Sequence, residues 1–268
     1  MIPVLTSGLA RRIEEAEISA LKSRLMAIRE IPGNPMGVDI QSFGHATAFS
    51  VKGIPGPAFN TVRGLTSEDH LEIEPIVDFY KAKNIPVQVE ITPVSTSPEL
   101  FQSLARSGHY QHSFHSVFYR TELKEIRKAE PSITIRRLRE SEFNLFAEIY
   151  VKGFGLPNSI KQGIAQNNQV LYPLDSWEFY LAMINGEAVG IGVMFIDNGI
   201  ALLAASASLP QYRNMGVHQA LMVERMREAS KKEVGLLVGQ ASYASISANN
   251  MQKLGLRLAY TKAIWKES

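Results

Sequence analysis

Ser208-Leu209-Pro210-Gln211-Tyr212-Arg213-Asn214-Met215-Gly216-Val217-His218 joins an apolar run, Ile200 to Leu209, to a helical pattern from about Met215 to Lys232. A helix start leaves several backbone N–H groups unpaired and carries the positive end of the helix dipole. Gly216 lets an anion approach that backbone with no side chain in the way. Arg213 adds a fixed charge whose donors suit phosphate oxygens. The turn therefore has the makings of an anion cradle. On spacing alone, Arg213 also fits a solvated surface residue.

The run before the turn carries Ala204-Ala205-Ser206-Ala207-Ser208. Small residues let an extended ligand lie along a strand and pair with its backbone. They equally suit tight packing against a helix, and both readings stand at this point.

Working outward, the second half alternates between strand and helix signals. Ile133 to Leu138 alternates as a strand, and helices are predicted from Ser141 to Lys152 and from Asn158 to Gln166. Three strands follow, Trp177–Ile184, Ala188–Ile196 and Ile200–Leu209, separated by Asn185-Gly186 and Asp197-Asn198-Gly199, both hairpin signals. After the helix come a buried strand (Val234 to Gly239), a helix (Ser245 to Leu254) and a final strand (Leu256 to Trp265). This order implies a mixed α+β sheet with helices packed on its faces.

The first half is predicted to open with a helix from Leu9 to Arg29, followed by strands at His45–Val51 and Phe59–Val62. A helix over Ser67–Ala82, a strand over Ile85–Ile91, a helix opened by Ser97-Pro98-Glu99 and a strand over His112–Arg120 complete it. Its last elements repeat the order of the second half's, which suggests a tandem duplication. The expected division is 1–123, a charged linker at 124–132, and 133–268.

At 268 residues with 45% apolar and 20% charged side chains, the composition is that of a globular protein. A formal charge of +2, spread without clusters, argues against nucleic acid or an anionic membrane as partner. The chain has no cysteine, which excludes disulfides, thiolate catalysis and cysteine-bound metal. No export signal or membrane-spanning run is read, so a cytoplasmic protein is expected. His109, His112 and His115 are spaced by three, but a strand scatters such residues over both faces, and no metal site is expected.

Ser208 to Val217 resembles the acetyl-CoA signature of the Gcn5-related N-acetyltransferase (GNAT) family, and Asn250-Met251-Gln252-Lys253-Leu254-Gly255-Leu256 resembles that family's later motif. The element order of 133–268 is similar throughout, and the first half resembles a degenerate copy, as in tandem members. The resemblance implies two GNAT-like domains, each a mixed, mostly antiparallel sheet flanked by helices. It implies that the co-substrate acetyl-CoA is held by Ser206, Ala207, Ser208, Leu209, Arg213, Asn214, Met215, Gly216, Val217, His218 and Asn250, with strands splaying at Ser208 and Gly239 to admit the thioester. A small-molecule primary amine would attack the acetyl carbonyl directly, and a strand N–H near Leu209 would steady the developing oxyanion.

Two positions depart from the pattern. His218 stands where the signature has a small residue, and is read as exposed. Met251 stands where many members carry the tyrosine that protonates the leaving thiolate. Tyr243, Ser247 and Tyr260 are therefore the candidate acids. Glu178 and Asp175 are possible proton relays, though a solvated strand start is the preferred reading. In the first half, Val62-Arg63-Gly64-Leu65-Thr66-Ser67-Glu68-Asp69 matches the anion turn in position but leads into acidic residues, which compete with phosphate.

Overall fold

The computed structural model describes residues 4–54, 56–123, 126 and 132–268. It divides into two compact units, residues 4–117 with 258–268, and residues 118–257. Apart from Ile126 and Ser132, the expected linker lies outside the described residues.

In the first unit, helix α1 (Ser7–Arg29) is capped by Thr6, whose hydroxyl accepts from the N–H of Leu9. Strands β1 (Val38–Phe43), β2 (Ala46–Val51) and β3 (Thr61–Arg63) form an antiparallel meander. Helix α2 (Ile73–Lys81) leads to β4 (Gln88–Ile91), which runs parallel to β3. Helix α3 (Pro98–Arg106), with Ser97 as its N-cap, leads to β5 (His109–Arg120). The helix predicted over Ser67–Ala82 is two pieces, because the tight 3-10 turn at Ser67–Leu71 ends before α2 begins. Strand β1 was not anticipated, although Val38-Asp39-Ile40-Gln41 alternates apolar and polar residues.

The chain's last strand, β11 (Arg257–Glu267), pairs antiparallel with β4, placing Ala263 opposite Ile91 and Trp265 opposite Val89. The expected division put this strand with the second half. Its partner and most of its length instead belong to the first unit. The sheet order there is β1-β2-β3-β4-β11-β5. On one face, Val62, Val89 and Ile91 pack with Ile73, Ile76, Tyr80, Leu100 and Leu104 from α2 and α3. Each fully buried aliphatic side chain of this kind contributes about 1.5–3 kcal/mol.

The second unit contains β6 (Thr134–Arg137), α4 (Phe143–Phe154), α5 (Lys161–Gln169), β7 (Trp177–Ile184), β8 (Glu187–Asp197), β9 (Ile200–Ser208), α6 (Val217–Lys231), β10 (Leu236–Ser242) and α7 (Ile246–Lys253). Its sheet order is β10-β9-β8-β7-β6, antiparallel except for the β9–β10 pair. Both tight hairpins have positive φ at their central pairs, 50° and 83° at Asn185 and Gly186, and 47° and 71° at Asn198 and Gly199. The core lies between sheet and α6, where Leu221, Met222 and Met226 meet Met194, Leu237 and Val189.

Candidate functional site

The site is built on β9, which has different neighbours along its length. Towards β8 it is paired to its end, Gly190 opposite Ser208 and Gly192 opposite Ser206. Towards β10 the pairing stops at Leu203 opposite Gly239, and both strands continue without each other. The expected splay is thus present, but it opens at Leu203 rather than at Ser208. Its cause is a β-bulge: Val193 faces Ala205 while Met194 faces Leu203, so Ala204 is an extra residue that bends β9 away.

The free edge has a definite polarity. The N–H of Leu209 donates to the carbonyl of Val189 at 2.9 Å, on the β8 side. Strand alternation puts Ala207 on that side too and turns the backbone groups of Ser206 and Ser208 towards the open edge. The expected use of an N–H near Leu209 for an oxyanion is therefore corrected for Leu209 itself, whose hydrogen is already committed to the sheet. The small residues also serve packing. A Cβ on Gly153 of α4 would come within 2.7 Å of the Ala207 side chain and 3.0 Å of the Ser208 carbonyl.

Beyond Leu209, a 3-10 turn at Pro210–Tyr212 delivers the chain to α6. Asn214 and Gly216 have φ of 63° and 85°, a left-handed pair that turns the backbone into the helix. As at any helix start, the N–H groups of the first turn of α6, from Val217 on, have no acceptor further along the helix, and the turn from Asn214 leads straight into them. They gather at the positive end of a 15-residue helix. Arg213 is exposed beside them, and its Nη2 donates to the Gly153 carbonyl at 2.8 Å, tying the turn to α4.

His218 is half-buried, contrary to the exposed position read from sequence, and its Nδ1 lies 3.3 Å from Asn250 Nδ2. Burial, with the nearby charge of Arg225, lowers it to about 4, so the imidazole is neutral at physiological pH. Asn250 Oδ1 accepts from Gln219 Nε2 at 2.9 Å. The asparagine thus locks α7 against the first turn of α6.

One residue of the site was not anticipated. Arg225 of α6 is 1% exposed and has no carboxylate within ion-pair distance among the described residues. Its Nε donates to Leu221 O (3.0 Å), Nη1 to Val193 O (2.9 Å) and Ala205 O (3.0 Å), and Nη2 to Ser206 Oγ (3.0 Å). These acceptors bracket the bulge, so Arg225 fixes the bend that opens the edge. Burial brings its own pKa down to about 10. Gly192 makes the room, since a Cβ there would meet the guanidinium at 3.1 Å. The only sequence signal was a charge three residues from Met222 and next to Met226 on an apolar helix.

The candidate acids are dispersed. Tyr243, 72% exposed, follows β10, and Ser247, half-buried, stands in the first turn of α7 after the Ser245 N-cap. Tyr260 falls in the first unit, on β11, where burial and Glu17, Glu14 and Glu90 push its pKa up. Met251 is buried with its sulfur against Gly239 of β10, at 3.0 Å from where a Cβ would stand. Glu178 is not a solvated strand start. It is 3% exposed and bonded to Arg137, Tyr180 and, at 2.7 Å, Lys232. Burial would raise its pKa, but these donors outweigh it and hold the carboxyl low. It is a structural ion cluster, not a relay.

In the first unit, the turn matching the anion cradle contains its own carboxylate. Buried Asp69 accepts from the N–H groups of Thr66 (2.8 Å) and His45 (3.0 Å). Burial raises its pKa, but these bonds outweigh it and the group stays ionised. Among the described residues there is no group of His, Asp and Glu arranged to hold a metal, and no helix long and apolar enough to cross a membrane.

No family model matches the chain, and no curated protein does. Solved structures do, over almost its full length. A Gcn5-related N-acetyltransferase from Kribbella flavida is 12% identical, with a TM-score of 0.65 over 91% of this chain and 95% of its own. One from Sphaerobacter thermophilus is 12% identical, with a TM-score of 0.63 over 99% and 94%. A tandem GNAT protein from the clavulanic acid biosynthesis pathway is 11% identical, with a TM-score of 0.63 over 95% of each chain.

Proposed function

From the tandem Gcn5-related N-acetyltransferase fold that this chain adopts, we propose an acyltransferase that moves an acetyl group from acetyl-CoA to the primary amine of a small molecule, in the cytoplasm. One observation carries the reading. The open edge of β9 at Ser206 and Ser208 runs directly into the turn of Asn214 to Gly216 and the N-terminus of α6. An extended amide arm ending in a pyrophosphate needs that sequence of contacts: strand-like pairing, then a helix start.

In this reading Ser206 and Ser208 pair with the amides of the pantetheine arm. Asn214 to His218 receive the pyrophosphate, and Arg213 flanks it. Bound there, acetyl-CoA supplies an activated thioester carbonyl. The amine nitrogen forms the new C–N bond as the C–S bond breaks, and one amine proton is lost to solvent. A proton returns to the sulfur, for which Tyr243 and Ser247 are this unit's candidates. Holding both reactants in one cleft supplies much of the acceleration.

A second reading is favoured by one observation, the thioether of Met251, which has no proton to give. It is a non-catalytic acyl-CoA-binding or regulatory module. CoA release against a panel of small amines separates the two, with Arg213→Ala and Gly216→Glu as controls. Turnover in the parent chain, with KM for acetyl-CoA raised in Arg213→Ala and turnover lost in Gly216→Glu, supports the enzyme. Acetyl-CoA binding without turnover on any amine supports the module, and no binding sinks both.

A further inference from the structure

The face of the first unit's sheet that meets α1 is charged where a core face is ordinarily apolar. Register and alternation place Val62, Val89, Ile91, Ala263 and Trp265 on the α2 and α3 side. The opposite side carries Thr61, Arg63, Glu90, Thr92, Tyr260 and Lys262. Helix α1 adds Glu14 and Glu17, three residues apart and so on one face.

These groups are matched, with one exception. Lys262, 1% exposed, bonds Glu17 Oε2 at 2.8 Å and Glu90 Oε2 at 2.7 Å. Arg63 Nη2 bonds Glu90 Oε1 at 3.0 Å. Burial would raise Glu90, but Arg63 and Lys262 outweigh it and hold it at about 2. His115, lowered to about 4 by burial and by Lys262, is uncharged at neutral pH. Three carboxylates thus face two fixed cations. Glu14 is the unmatched one: it accepts from Thr92 Oγ1 at 3.0 Å and from the Gly64 backbone, with no Lys or Arg nitrogen at ion-pair distance among the described residues.

Two acceptors beside it are also unused. The hydroxyl of Tyr260, a residue 6% exposed, and Glu17 Oε1 are buried and have no partner among the described residues. The Tyr260 hydroxyl lies within electrostatic range of Glu17, Glu14 and Glu90. Glu14 is only half-buried and gives the group its opening to solvent.

We propose that Glu14, Glu17 and Tyr260 form a binding site for a primary ammonium group, within the first unit and separate from the acyl-CoA site. An ammonium brings three N–H donors to three acceptors and supplies the missing positive charge. The inference does not rest on the acyltransferase reading and needs no CoA.

The test is an NMR titration of the full chain, without CoA, by n-propylammonium, tetramethylammonium and potassium chlorides at matched ionic strength. Saturable binding of n-propylammonium alone is expected. It should weaken about 10- to 100-fold in Glu14→Gln and less in Tyr260→Phe, a variant that keeps the ring and its packing. Burial raises Glu14 to about 7, so affinity should rise about tenfold from pH 6 to pH 8 as the carboxyl ionises. The other groups facing it are Glu17 from α1, Arg63, Glu90, Thr92, His115, Tyr260 and Lys262 from the strands. Of these, Glu90 is held ionised, His115 is already neutral, and Tyr260 and Lys262 are pushed up, so these four keep their charge in that window. Circular dichroism confirms that each variant folds, and Tyr260→Phe carries the test if Glu14→Gln does not. Three results would each overturn the site: no binding, equal binding of tetramethylammonium or potassium, or n-propylammonium binding unchanged in the folded variants.

Discussion

Nη1 of Arg225 donates to the carbonyl of Ala205 at 3.0 Å, immediately past the extra residue Ala204 that bends β9 out of the sheet. A buried guanidinium without a carboxylate is expensive, and its donors here go to backbone and hydroxyl oxygens. The arrangement spends stability on holding one strand edge open. Arg225→Ala would take a donor from the carbonyls of Val193 and Ala205 and the hydroxyl of Ser206 and leave a cavity, at a cost of about 2–5 kcal/mol. Thermal melts should show that loss. In the folded fraction, KM for acetyl-CoA should rise more than kcat falls, because the residue shapes the edge without touching the reacting atoms.

At the turn, Arg213→Ala removes one charged donor and should weaken acetyl-CoA about tenfold with little effect on melting. Gly216→Glu combines a side chain at a φ of 85° with a negative charge at the helix start. It should abolish measurable binding by calorimetry while the circular dichroism of the fold is retained.

Glu178 gives the opposite pattern. Glu178→Gln should cost about 1–3 kcal/mol, because Arg137 and Lys232 lose their common partner and both are partly solvated. Affinity for acetyl-CoA should be unchanged, which a titration of the folded variant checks.

Acid should destabilise the chain through His218. Its folded pKa of about 4 lies below the ordinary 6.5, so the unfolded state takes up the proton first. Stability is then complete above pH 6.5 and is lost as pH falls towards 4, by about 1–2 kcal/mol after solvent screening. Glu14 acts with the other sign. Its folded pKa of about 7 lies above the ordinary 4.5, so stability is present at low pH and lost as pH rises from 4.5 to 7. Denaturant melts at pH 4.5, 6 and 8 should show a flatter acid limb in His218→Gln and a flatter neutral limb in Glu14→Gln.

Local signals were the legible ones. Asn185-Gly186 and Asn198-Gly199 specify their turns by the φ they accept, and Gly216 with Arg213 marks the helix start. What stayed hidden depends on distant partners. The pairing of β11 with β4 joins residues far apart in the chain, and no local pattern encodes which sheet a terminal strand completes. Arg225 sits on a helix whose other charges are solvated, so its position alone does not reveal that it turns inward. Glu14 and Glu17 face inward for the same kind of reason, because their partners Thr92 and Lys262 are far away in the chain. The open edge of β9 was anticipated, but its start depends on the bulge at Ala204, which only the register with β8 discloses.

Residue-resolved hydrogen exchange of the full chain with and without acetyl-CoA tests the acyl-CoA site most directly. The amides of Ser206 and Ser208 and those from Asn214 to Gln219 are expected to gain protection. The amide of Leu209, already bonded to Val189, should change little. Protection confined to other segments, or none at saturating acetyl-CoA, would contradict that site.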